Sequence, residues 1–130
     1  MTAARVAVAL VAVAALAWLG VMERDAYLRA RGVETAGQLR KPADFARAEA
    51  DLRAARLLNP DATPDVDRAV LYLAAGRRRD AVALLEDVVR SEPDNRTAWV
   101  VLYGASDRRD AAAAERALAA LRRIDPLNAR

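Results

Sequence analysis

The chain has 130 residues, a formal charge of +3 and neither cysteine nor histidine. It can therefore form no disulfide, and it lacks a thiolate nucleophile, the usual zinc ligands and the commonest proton-transfer side chain. Aromatic residues make up only 5% while alanine and leucine abound, which favours close-packed helices around one modest core. The charges of both signs are interspersed rather than gathered on a basic face, which excludes nucleic acid as the expected partner.

From Val6 to Met22 the chain reads VAVALVAVAALAWLGVM, an uncharged run of 17 residues at the lower end of what a membrane-crossing helix needs. Residues 1–22 are therefore expected to be a transmembrane anchor. The small residues of Ala15-Leu16-Ala17 leave open a cleaved signal peptide, while Trp18 and the charged Glu23-Arg24-Asp25 read as an interfacial aromatic and a stop. With no Cys beside this segment, a lipoprotein anchor is excluded. Arg5 and the amino terminus place the N-terminal side inside, so the expected location is the inner membrane of a bacterium, single-pass, with the C-terminal domain outside. The alternative is a periplasmic or secreted domain. Residues 23–41 are expected to continue as a connecting helix, which Gly32 and Gly37 could interrupt.

Residues 42–130 read as alternating helices and short breaks. Phe45, Ala48, Leu52 and Ala55 share a face at helical spacing, as do Val66, Ala69, Val70 and Leu73 in the next segment, which Gly76 ends in a left-handed turn. Ala81, Leu84, Leu85 and Val88 follow; then come Trp99, Leu102 and Tyr103, and finally Ala114, Ala117, Leu118 and Leu121. Pro60, Pro93 and Pro126 stand 33 residues apart, each in a turn after a helix.

With Tyr72, Gly76, Ala81, Leu85 and Pro93 in this order, the chain resembles the tetratricopeptide repeat family over roughly residues 42 to 128, as one half repeat and two whole ones. The resemblance implies an all-α fold, a right-handed array of antiparallel helix pairs whose concave face receives a peptide or protein segment. The sequence departs from the family norm of about 34 residues per repeat. It also lacks the usual glycine near Ser106-Asp107 and has no clear first helix for the opening half repeat, a place that Glu23 to Leu39 is expected to fill. So short an array is near the minimum for stability, and its apolar end is a candidate docking or dimerisation surface.

Candidate partner-binding residues, chosen by helix position, are Thr63, Asp67, Arg96, Tyr103 and Ser106. Trp99 is expected to pack inside its own repeat. Arg77, Arg78 and Arg79, with Arg108 and Arg109 at the matching turn, form a candidate basic edge toward anionic lipid or an acidic partner. No catalytic constellation is recognisable, the adjacent carboxylates Glu86-Asp87 and the pair Glu49 and Asp51 having arginines one turn away; no enzyme activity, cofactor or metal is expected. The expected role is a membrane-anchored interaction scaffold or accessory subunit of a cell-envelope complex. A small structural subunit that obligately oligomerises is the alternative of another class.

Overall fold

The computed structural model describes residues 3–37, 42–57, 59, 61–106 and 110–126. Among these residues the chain is all-helical: α1 (Ala3–Gly37), α2 (Pro42–Arg56), α3 (Thr63–Ala74), α4 (Arg78–Ser91), α5 (Arg96–Ser106) and α6 (Ala111–Ile124), with no strand. Each helix packs on the next, and α1, α3 and α5 also touch in turn. The connections are too short for anything but antiparallel neighbours, so α1, α3 and α5 run one way and α2, α4 and α6 return.

The helix α1 is a single element of 35 residues, about 52 Å long at 1.5 Å per residue, and it passes Gly32 without a break. Its first half is exposed on every described side, Leu10, Val13, Leu16 and Leu19 included. The expectation of a transmembrane helix is corrected here: among the described residues no helix is long and apolar enough to cross a membrane. The uncharged run is 17 residues long, bounded by Arg5 on one side and by Glu23, Arg24 and Asp25 on the other. The inner-membrane location that rested on this segment falls with it.

From Asp25 onward α1 becomes a packed helix. Asp25 is buried, with Arg24 Nη1 at 3.6 Å and no hydrogen bond to either carboxylate oxygen, an arrangement that costs stability. Two turns later Gly32 is the point of closest approach to α2: a Cβ there would stand 2.8 Å from Leu52 Cγ and 3.3 Å from the Ala48 carbonyl oxygen. Beside it Arg31 grips Asp51 through two bonds, Nε to Oδ2 at 2.8 Å and Nη2 to Oδ1 at 3.1 Å.

The turns on either side of α4 and the start of α6 are fixed by local chemistry. After α3, Gly76 takes φ 74°, Gly76 N–H donates to the Leu73 carbonyl at 3.0 Å and Arg77 N–H to the Tyr72 carbonyl at 2.8 Å, the paired bonds of a Schellman stop. Between α4 and α5, Asn95 Oδ1 caps the new helix by accepting from Ala98 N–H at 3.0 Å. Glu92 ties this turn to the start of α3 by accepting from Ala62 N–H, also at 3.0 Å. Asp110 caps α6 through Ala113 N–H at 3.0 Å.

The main core joins α3, α4 and α5 through Val66, Ala69, Tyr72, Leu85, Val88 and Leu102, and a smaller one joins α2 to α3 through Ala48, Leu52 and Leu71. Alanines at the crossings, among them Ala69, Ala81, Ala98 and Ala105, let the helix axes approach closely. One element of the expected pattern changes. Val70, read as part of the buried stripe of α3, is exposed, and Leu71 is fully buried instead. The cause is that α3 lies between two neighbours, so it buries Val66, Ala69 and Tyr72 toward α4 and α5 and Leu71 toward α2, leaving Val70 between the two stripes.

Candidate protein-interaction face

Helix α3 leaves Asp67, Val70 and Ala74 on the strip its two neighbours do not cover, at the i, i+3, i+7 spacing of one helix face. Adding the 33-residue period gives Val100 and Tyr103 on α5, and these are likewise open: Val70, Val100 and Tyr103 are 46%, 44% and 46% exposed. On α1 the corresponding place is fixed by an ion pair. Arg29 Nε donates to Asp67 Oδ2, and Val33, one turn further along α1, is 46% exposed. Helices α1, α3 and α5 thus each carry uncovered apolar side chains, Val70 and Tyr103 lying one period apart, and the Arg29–Asp67 pair joins α1 to α3.

The residues expected from sequence fall into three groups. Asp67 and Tyr103 stand on this face. Thr63 and Arg96 are at the starts of α3 and α5 and are engaged locally: Thr63 donates to Asp61 Oδ1 from both its N–H (2.8 Å) and its hydroxyl (2.6 Å), and Arg96 pairs with Asp125 at 3.4 Å. Ser106, at the end of α5, is buried, 3% exposed. Trp99 is half-buried against the core, its Nε1 donating to the Pro93 carbonyl at 2.8 Å.

The basic edge is only partly available. Arg77 lies over the rings of Phe45 (5.3 Å) and Tyr72 (4.7 Å) and pairs with Asp80 at 2.6 Å, so it clamps α2, α3 and α4 together. Arg78 donates to the Ala105 carbonyl at 2.6 Å, whereas Arg79 is exposed with no ion pair among the described residues. Arg108 and Arg109 lie outside the described residues.

Sequence position alone missed Arg29, Val33, Val70 and Val100. The 33-residue period applied to Asp67 and Val70 would have found Val100 and Tyr103 together. The register of α1 could not be read this way, since its partner Asp67 lies 38 residues beyond Arg29.

The Thr63–Asp61 contact has a pH signature. The Thr63 hydroxyl, and then its backbone N–H, hold the Asp61 carboxyl below its ordinary range. A depressed folded-state value means that this contribution is present above the ordinary carboxylate range and is lost as pH falls through the folded value. Thr63→Val removes the hydroxyl donor and should move Asp61 back toward the ordinary range in a carboxyl-carbon NMR titration; an unmoved midpoint would show that the hydroxyl contributes nothing. Among the described residues no group of acidic side chains is arranged to hold a metal ion. Compared with models of protein families, with curated proteins and with solved structures, the chain matches none.

Proposed function

We propose that this chain is a protein-interaction module that holds a partner segment across the first helices of a tetratricopeptide-like array. The observation that carries the reading is the set of uncovered apolar side chains Val33, Val70, Val100 and Tyr103 on α1, α3 and α5, with Val70 and Tyr103 one 33-residue period apart. Single exposed apolar residues are ordinary on a protein surface. A set repeated on adjacent parallel helices is not, and it gives a partner with regularly spaced apolar side chains several anchors at once. Tyr103 suits such a role further, since it combines a large apolar ring with a polar tip and loses little rotamer freedom when bound.

The resemblance supports this reading through Gly76 and its left-handed turn, the buried Ala81 and Leu85, and Pro93 in the turn that follows α4. The second half of α1 stands as the first helix of the opening pair, so α1 with α2, α3 with α4 and α5 with α6 make three pairs. The exposed apolar half of α1 favours a second reading, self-association. Photo-crosslinking from positions 70 and 103 in producing cells tests the first, with partner adducts expected there and not from Arg90 on α4; adducts of twice the chain's mass at these positions would instead favour the second.

A further inference from the structure

At the end of the array where first helices finish and second helices begin, a groove of about 840 Å³ opens between the start of α4 and the end of α5. It is lined by Ser106, whose hydroxyl is buried and makes no hydrogen bond among the described residues. One wall is the N-terminus of α4. Among the described residues that terminus has no side-chain cap and none of the Arg78, Arg79 and Asp80 backbone N–H groups has a backbone acceptor, the first bond of the helix running from Ala81 N–H to the Arg77 carbonyl at 3.1 Å. Open N–H groups at a helix start, reinforced by the helix dipole, attract negative charge.

Three carboxylates also line the groove, and each is already engaged. Asp80 pairs with Arg77 at 2.6 Å, Glu86 with Arg116 at 2.8 Å, and Asp110 caps α6. Arg79, by contrast, has no ion pair among the described residues. The donors left over are therefore the α4 backbone N–H groups, the Ser106 hydroxyl and the Arg79 guanidinium, and the complementary group is an oxyanion. The groove is far larger than one small ion needs, which suits a length of chain.

We infer that this groove binds the side-chain carboxylates of an acidic peptide segment, at a site separate from the apolar row on α1, α3 and α5. The inference rests on the reading of the chain as a peptide-binding module and adds the chemistry of what it binds. Such a segment would place one carboxylate at the α4 N-terminus within reach of Ser106 and lay the next along Arg79.

The test is an amide NMR titration of the full chain with acetylated hexaglutamate, with acetylated hexaglutamine and with inorganic phosphate. Saturable shifts with hexaglutamate, centred on Arg78, Arg79, Asp80 and Ser106 and absent with hexaglutamine, are expected. Ser106→Ala should weaken the binding about tenfold, the size of one hydrogen bond to a charged group, and Arg79→Ala should weaken it and reduce its dependence on salt. Ser106→Ala removes a buried hydroxyl that has no partner, so it should fold at least as well as the parent, and a thermal melt run beside the titration separates lost binding from lost folding.

Equal binding of phosphate and hexaglutamate would overturn the peptide, leaving a site for free anions. Binding that Ser106→Ala leaves unchanged would overturn the groove. Shifts confined to Val70 and Tyr103 would also overturn it while leaving the apolar face as the docking surface, whereas loss of the apolar face under photo-crosslinking would leave a result in the groove intact.

Discussion

Leu85→Ala is expected to destabilise the chain by about 3 kcal/mol, within the usual range for truncating a fully buried leucine to alanine. Leu85 is 0% exposed on α4 and belongs to the cluster that joins α3, α4 and α5, so its loss leaves a cavity that no single helix can close by shifting. For a domain of this size the change corresponds to a fall in melting temperature of roughly 15 °C. Leu57→Ala is the matched control, because Leu57 is 61% exposed and should change stability by less than about 0.5 kcal/mol. Urea denaturation of both variants checks the pair. A Leu85→Ala variant as stable as the control would mean that α4 is not packed between α3 and α5.

Gly32→Leu is expected to have an effect of similar size by the opposite route, overfilling. The first carbon added already meets the branch point of Leu52 at 2.8 Å and the Ala48 carbonyl at 3.3 Å. Separating α1 from α2 would also break the Arg31–Asp51 pair, so a loss of about 3 kcal/mol is expected, at the top of the range for overpacking. The decisive form of this prediction is a double-mutant cycle. In a Leu52→Ala background the obstructing Cγ is gone, and Gly32→Ala should then stabilise the helix by up to about 1 kcal/mol, the difference in helix propensity. If Gly32→Ala has the same effect with or without Leu52, the close approach of α1 and α2 is not made at Gly32.

The helices were legible in the sequence for reasons that hold at the level of single turns. Gly76 is needed where φ is positive, Pro93 follows the end of α4, and the apolar periodicities of α4 and α6 match the buried Ala81, Leu85 and Val88 and Ala117. Pro60, the first of the three spaced prolines, lies outside the described residues. What periodicity could not decide was how many neighbours a helix has. A single-stripe reading of α3 buries Val70, but a helix packed on two sides buries two stripes, and Val70 is released to the surface that would meet a partner.

The candidate site was legible in the same partial way. Asp67 and Tyr103 could be placed by their positions on the expected first helices, α3 and α5. The burial of Ser106 was not legible, since helix position alone does not say which neighbours cover a helix end. The arginine run at residues 77–79 shows a further limit of pattern: charge density suggested one basic edge, while the fold commits Arg77 to two aromatic rings and a carboxylate and leaves Arg79 open. The apolar run at residues 6–22 shows another, because composition reads the same for an anchor and for the exposed half of a long helix whose other half is docked on α2.

The most direct test of the interaction module is photo-crosslinking in the producing cells with benzoylphenylalanine placed singly at Val70, Tyr103 and Arg90. The account predicts the same discrete partner adduct from positions 70 and 103, lost when Val100 is changed to Asp, and none from position 90, which is exposed on a second helix. Adducts of equal yield from all three positions, or from position 90 alone, would contradict a docking surface built on the first helices.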